Sequence, residues 1–155
     1  MSSAIDELED FLSDDPVAAH SKLEALVAEG NADAKYVLAM ALYDGDGVEE
    51  NRPRCLELLR QAASAGHVKA THDLGGLHYY GYGLAPEVQS FSRAAELLQR
   101  SASAGYAPSM TFLGSMYERG EGVTSSVDRA KQLYRQAAEL GDELGQENLA
   151  RLGAA

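Results

Sequence analysis

Apolar residues recur along this chain at the three- and four-residue spacing of a single helix face. Residues 32–43 carry Ala34, Leu38 and Leu42 at such positions, and the stretches 68–80 and 107–118 repeat the pattern. A second helical stretch follows each of these, at residues 52–65, 91–104 and 127–140. We therefore predict three consecutive pairs of helices, the first of each pair termed A and the second B.

Glycines punctuate these pairs at a nearly constant interval. The closing glycines Gly30, Gly66, Gly105 and Gly141 are separated by 36, 39 and 36 residues. A second glycine motif joins A to B in each pair, as in Gly120-Glu121-Gly122-Val123. Glycine is suited to the positive φ that ends a helix and turns the chain back. An internal period of this size predicts a short array of helical repeats.

Small and capping residues at equivalent positions sharpen this prediction. Asn51, Ser90 and Ser126 precede the B helices and can accept hydrogen bonds from first-turn amides, so we expect them to be N-caps. By the same register, Asp15 caps an earlier B helix that ends at Gly30. The small residues Ala39, Gly75 and Gly114 predict close packing of A on B, and Cys55 is expected to be a small core residue.

The motif Ala34-x-x-x-Leu38-Ala39-x-x-x-Tyr43-x-Gly45-x-Gly47-Val48, with Leu113-Gly114-x-x-Tyr117-x-x-Gly120-x-Gly122-Val123, resembles the Sel-one-like repeat family. This family is a branch of the tetratricopeptide superfamily, and the resemblance covers about residues 15–141. It implies an all-α, right-handed α/α superhelical solenoid of helix-turn-helix repeats with A helices on the concave side. It also implies a role as an adaptor or scaffold.

One departure from the family pattern concerns the B helices. The family usually carries an aromatic residue midway along helix B, where this chain has Leu58, Leu97 and Leu133. We therefore expect B helices without that aromatic residue.

The predicted organisation is one repeat domain over residues 1–155, with about nine helices including both end caps. An incomplete capping repeat occupies 1–30, and a C-terminal capping helix occupies 142–155. Full repeats span 31–66, 67–105 and 106–141. The N-terminal cap is expected to begin with a short helix at 3–12, and the C-terminal helix is expected at 143–152 with Leu144, Leu149 and Leu152 on its apolar side.

The net charge of −11 is concentrated in the first third of the chain. Residues 1–50 hold 13 Asp and Glu against two lysines, which predicts an acidic tip that includes Asp6, Glu7, Glu9, Asp10 and Asp14. Two interpretations stay open: a solvated first repeat, or a docking site for a basic partner. Nucleic acid is a poor candidate partner because no cluster of Lys and Arg is present.

Cysteine content and hydropathy bear on the compartment. A single cysteine allows no internal disulfide, and no stretch has the 18 apolar residues typical of a membrane span. We expect a cytoplasmic protein, while a periplasmic one stays open because a removed signal peptide leaves no trace.

A partner-binding groove is expected on the A helices, at the register positions next to their buried face. Tyrosine is frequent there and provides a large, stiff contact area with a polar tip. The alternative is that some of these tyrosines, such as Tyr36, pack between helices. The predicted groove residues are Tyr36, Met40, Tyr43, Lys69, His72, Tyr79, Tyr80, Thr111, Glu118 and Arg119, and the same register includes Asp33, Asp44, Gly76, Pro108 and Ser115.

Catalytic and metal-binding signatures are weak. His72 and His78 are six residues apart and fall on different faces of one helix, so no metal site is expected. No nucleophile–base signature stands out, and no cofactor is implied. The leading hypothesis is a non-catalytic adaptor or scaffold, monomeric by default, that binds a protein or peptide. The alternatives are an immunity or inhibitor protein for a basic toxin or effector, and a weak hydrolase.

Overall fold

The computed structural model describes residues 16–45, 48–81 and 89–153, and every regular element within these ranges is an α-helix. The all-α prediction is therefore confirmed, and the A and B helices predicted for the three full repeats agree with the structure to within one residue at each end. The eight helices are α1 (Pro16–Ala28), α2 (Ala32–Asp44), α3 (Arg52–Ser64), α4 (Val68–Tyr80), α5 (Phe91–Ser103), α6 (Ala107–Arg119), α7 (Val127–Glu139) and α8 (Glu143–Gly153).

Several predictions fall outside the described residues. These are the helix at 3–12, the cap at Asp15 and the acidic tip, so the count of nine helices stays a prediction. In the described part of the chain, no helix is long and apolar enough to span a membrane.

The chain divides into two compact units, unit 1 (Met1–Thr71) and unit 2 (His72–Ala155). The boundary falls in the first turn of α4. Unit 1 contains α1 to α3, and unit 2 contains α5 to α8 with most of α4.

The predicted caps begin the B helices of the three full repeats. The side chains of Asn51, Ser90 and Ser126 accept hydrogen bonds from amides three residues later, at 3.1, 3.2 and 3.2 Å. The backbone amide of each cap also donates to a carbonyl near the end of the preceding A helix, as Ser126 does to Tyr117 at 2.9 Å. One residue thus starts helix B and ties it to helix A.

The glycine motif between α6 and α7 is a structural turn. Gly120 and Gly122 have φ of 68° and 71°, a region that favours glycine. A Cβ at Gly122 would collide with the backbone carbonyl of Phe91, at the start of α5. Gly122 is therefore needed for both its backbone conformation and its lack of a side chain.

Close packing of A on B is confirmed at the predicted small residues. A Cβ added to Gly75 would lie 3.0 Å from Leu98 Cγ, and one added to Gly114 would lie 2.6 Å from Tyr134 Cε1. Tyr134 is fully buried midway along helix α7. The expectation of B helices without a central aromatic residue is therefore wrong for the third repeat, where Tyr134 follows Leu133 and fills the space left by Gly114.

The core of each unit is built from the expected helix faces. In unit 1, Cys55 is buried with 1% of its surface exposed, which confirms it as a core residue. In unit 2, the buried cluster contains Ala94, Ala95, Leu98, Ala102, Met110, Leu113, Met116, Leu133 and Ala137.

The C-terminal helix packs through a different residue from the one expected. Leu144 is 58% exposed, whereas the adjacent Gly145 is buried. A Cβ on Gly145 would lie 2.8 Å from the Cβ of Ala137, so the absence of a side chain lets α8 approach α7. The predicted apolar side of this helix is wrong at Leu144, whose side chain is left available at the surface.

Candidate functional site

A cavity of about 380 Å³ lies between α4, α6 and α8 within unit 2. Its walls combine aromatic, aliphatic and polar side chains, which is typical of pockets that bind ligands in proteins. The lining residues are His72, Tyr80, Pro108, Thr111, Phe112, Ser115, Arg119, Asp142, Leu144 and Asn148.

Four of the predicted groove residues line this cavity: His72, Tyr80, Thr111 and Arg119. Tyr80 is the most available of them to a partner, since 54% of its surface is exposed. Thr111 is buried, and its hydroxyl donates to Asp142 Oδ1 at 2.7 Å. Thr111 therefore holds a wall of the cavity and offers little surface of its own.

Tyr79 packs against the buried cluster of unit 2 and does not line the cavity. Its hydroxyl donates to Glu121 Oε2 at 2.6 Å and accepts from Arg119 Nη2 at 2.9 Å. Burial and the hydrogen bond to Glu121 raise the pKa of Tyr79. These contacts give Tyr79 a structural role.

Glu118 is engaged by a second set of contacts. Its Oε2 accepts hydrogen bonds from Tyr134 at 2.5 Å and from Arg151 at 2.7 Å. The Arg151 hydrogen bond, with that of Tyr134, lowers the pKa of Glu118. This carboxylate joins α6 to both α7 and α8, so its contacts stabilise the walls of the cavity.

The other predicted residues, Tyr36, Met40, Tyr43 and Lys69, belong to unit 1 and are half-buried. Tyr36 stacks on His67 with ring centroids 4.5 Å apart, as expected if it packs between helices. The Arg52 guanidinium lies 5.1 Å from the ring centroid of Tyr43. Binding by these residues stays a prediction.

Aromatic rings form a stiff apolar wall. The ring of Phe112 lies 5.9 Å from that of Tyr80, 6.2 Å from that of His72 and 4.9 Å from that of Tyr79. Such edge-to-face and tilted arrangements are favourable for aromatic pairs. Leu144 adds an exposed aliphatic side chain on the α8 side.

The basic side chains of the cavity contribute little free positive charge. His72 Nδ1 lies 2.8 Å from Ser109 Oγ, and burial lowers the pKa of His72, which favours the neutral imidazole at pH 7. Arg119 Nε donates to Glu121 Oε2 at 2.6 Å, and this contact raises the pKa of Arg119. The guanidinium is thus neutralised by a neighbouring carboxylate.

Asp142 is held by two neutral donors. Its Oδ1 accepts from the Thr111 hydroxyl and from the backbone amide of Gly145, at 2.7 and 2.6 Å. The second bond makes Asp142 the N-cap of α8. The carboxylate is therefore fixed in orientation at the edge of the cavity.

Phe112, Asp142, Leu144 and Asn148 were not among the predicted site residues. The repeat register could have found one of them, because adding the 36-residue period to Pro108 gives Leu144. The predicted groove stopped at the third repeat, although α8 occupies the position of a fourth A helix. Phe112, Asp142 and Asn148 carry no comparable signal.

No cluster of three or more potential metal ligands occurs within residues 16–45, 48–81 and 89–153.

Comparison with known proteins places these helix pairs in a family. The Sel1 repeat profile matches residues 32–67, 68–106 and 107–142, one residue later than the predicted repeats at each boundary. No curated protein sequence matches the chain.

Solved structures share the fold. A Sel1 repeat protein from Oxalobacter formigenes is 29% identical with a TM-score of 0.77, over 84% of this chain and 96% of the other. A protective antigen of uropathogenic Escherichia coli displaying an SLR fold is 26% identical with a TM-score of 0.78, over 83% of this chain but 27% of the other. Helicobacter pylori cysteine rich protein B is 15% identical, with a TM-score of 0.65 over 96% and 98% of the two chains, and supports the fold alone.

Sel1 repeat proteins are typically non-catalytic scaffolds for protein interactions. Because the three matched repeats cover most of its length, this chain belongs to the Sel1 repeat family.

Proposed function

We propose that this protein is a non-catalytic scaffold that binds a protein or peptide in the cavity between α4, α6 and α8. The observation that carries the proposal is the exposure of Tyr80 and Leu144 at 54% and 58% on either side of this cavity. Large apolar side chains that converge on a concave surface are typical of interaction sites. The site lies on the A helices, where we predict the partner-binding groove from the repeat register.

The dimensions favour a segment of a partner. A volume of about 380 Å³ lies toward the lower end of the range of ligand pockets, which suits one or two inserted side chains of a longer chain. Ser115 and Asn148 lie among the aromatic and aliphatic walls and can hydrogen-bond a peptide backbone. An apolar wall with a few polar groups would fix both the position and the direction of the bound segment.

Affinity isolation with matched variants tests this proposal. Leu144→Ala and Leu140→Ala remove the same side chain from residues that are both 58% exposed, but only Leu144 lines the cavity. We expect a specific protein to be retained by the native chain and by Leu140→Ala, and to be lost with Leu144→Ala combined with Tyr80→Ala. Circular dichroism would verify that all variants fold.

Equal capture by all variants would exclude this cavity as the binding site. The identity of the captured protein would separate an adaptor from an inhibitor, since an inhibitor would retain one dominant basic toxin or effector. If the cavity retains one such partner alone, the result would favour the inhibitor role.

A further inference from the structure

We infer that the cavity between α4, α6 and α8 anchors a basic side chain of the partner, an arginine or lysine, with its aliphatic stem on the aromatic wall and its charge at Asp142. This inference rests on the proposed function and adds the chemical class of the bound residue. It comes from the balance of charge around the cavity and from the placement of Asp142 beside Phe112, Tyr80 and Leu144.

The first argument is the net charge of unit 2. Its described residues carry nine Asp and Glu against seven Lys and Arg, an excess of two negative charges. The two arginines of α6 and α8 are already paired, Arg119 with Glu121 and Arg151 with Glu118, at 2.6 and 2.7 Å. A net negative charge favours the approach of a cation over that of an acidic segment.

The second argument is the charge of the residues that line the cavity. The low pKa of His72 leaves its imidazole neutral at pH 7, and Glu121 balances Arg119. The described donors to Asp142, the Thr111 hydroxyl and the Gly145 amide, are neutral, so no described ion pair offsets this carboxylate. The N-terminus of α8 offsets roughly half a unit of charge at most. Asp142 therefore contributes negative charge to the lining of the cavity.

The third argument is the fit of a long basic side chain. Lysine and arginine bury their methylene stems along apolar surfaces while the charged head reaches a polar partner. Phe112, Tyr80 and Leu144 provide that apolar surface, and the two aromatic rings can also interact with a cation through their faces. An aliphatic anchor would fill the same volume but leave Asp142 facing an uncharged group.

Capped amino acids provide a direct probe of this preference. We would titrate the isotope-labelled full chain with the N-acetyl methylamides of arginine, citrulline, leucine and glutamate, and follow amide signals by NMR. Citrulline matches arginine in shape but carries no charge. We expect arginine to shift the signals of Tyr80, Ser115, Leu144 and Asn148, with an apparent affinity about three- to fivefold above that of citrulline, as for a partly exposed ion pair.

Asp142→Asn removes the charge while retaining a side-chain oxygen for the Thr111 and Gly145 hydrogen bonds, since asparagine is also a good N-cap. We expect this variant to keep the helix content of the native protein and to bind arginine and citrulline within about twofold of each other. Tyr80→Ala provides a second variant, in which arginine and citrulline should both bind more weakly. Leu140→Ala is the control and should bind all probes as the native chain does.

The inference is overturned if leucine or glutamate binds the cavity as tightly as arginine, if Asp142→Asn keeps the preference for arginine over citrulline, or if no probe shifts these signals. Binding of leucine instead of arginine would leave the proposed function intact, because the cavity would still hold a partner side chain. The proposed function fails on a separate result, the equal capture of a partner by the cavity variants and Leu140→Ala.

Discussion

The contact between Gly114 and Tyr134 makes a quantitative prediction about Gly114→Ala. The new Cβ would lie 2.6 Å from Cε1 and 2.9 Å from Cδ1 of a ring that is fully buried. Overpacking of this kind costs about 1–3 kcal/mol. The higher helix propensity of alanine returns about 1 kcal/mol. The free energy of unfolding should therefore fall by about 0–2 kcal/mol.

The decisive measurement is a double-mutant cycle with Tyr134→Leu. The equivalent pairs in the two earlier repeats are Ala39 with Leu59 and Gly75 with Leu98, so alanine with leucine already occurs in this register. Tyr134→Leu alone should cost about 2–3 kcal/mol, because it leaves a void beside Gly114. In the double variant, the new alanine fills part of that void and no tyrosine ring remains for its Cβ to clash with. We expect the double variant to lose at least about 1 kcal/mol less free energy of unfolding than the sum of the losses in the two single variants.

Urea unfolding followed by circular dichroism at 222 nm would measure these values. Gly76→Ala is the matched control, because a Cβ there would lie 4.0 Å from the nearest heavy atom, Phe112 Cε1. This control should gain stability by up to about 1 kcal/mol from helix propensity alone. Additive costs in the cycle, or a Gly114→Ala variant that gains as much as Gly76→Ala, would refute the packing argument.

Three further predictions concern the turn, the charge network and the thiol. Gly122→Ala should destabilise the protein by more than about 2 kcal/mol, because the residue combines a positive φ with a collision at Phe91; a thermal midpoint unchanged from that of the native chain would contradict this. Since hydrogen bonds lower the pKa of Glu118, its stabilising contribution is present above the ordinary carboxylate pKa and is lost as pH falls through the lowered value. The free energy of unfolding, measured between pH 5 and 3, should therefore depend less on pH in Glu118→Gln than in the native protein. Cys55 should react with a thiol reagent at least about 100-fold more slowly in the folded protein than in urea, because only opening of the core exposes it; rapid reaction of the native protein would exclude its burial.

The sequence predicts the helices well because their determinants are local. The caps at Asn51, Ser90 and Ser126 and the recurring glycines act over three or four residues, so the helix ends follow from the repeat register. The packing partner of each small residue is harder to predict from the sequence. Gly114 signals that space is needed, but the identity of the ring that fills it depends on the rotation of α7, which places Tyr134 there instead of Leu133.

The cavity is harder to predict because it depends on contacts between helices distant in sequence. The spacing of His72 and Tyr80 is enough to place both on the groove face of their A helix, and both line the cavity. The register predicts Tyr79 on the same face, but its hydroxyl donates to Glu121 and its ring packs against the core. Asp142 shows the same limit. It lies at a helix start, and only the position of α8 against Thr111 shows that its carboxylate also borders the cavity.

Each A helix has two faces with different constraints, and this has a consequence for how such proteins diversify. On α6, Gly114 is fixed by the buried ring of Tyr134, while the adjacent Ser115 points to the cavity. The same holds for three other residues that line the cavity and do not join helix A to helix B: Tyr80, Leu144 and Asn148. Natural paralogues could therefore acquire new partners by drift at these few positions without loss of the scaffold. A library randomised at positions 80, 115, 144 and 148 would use the same freedom to select new binding proteins.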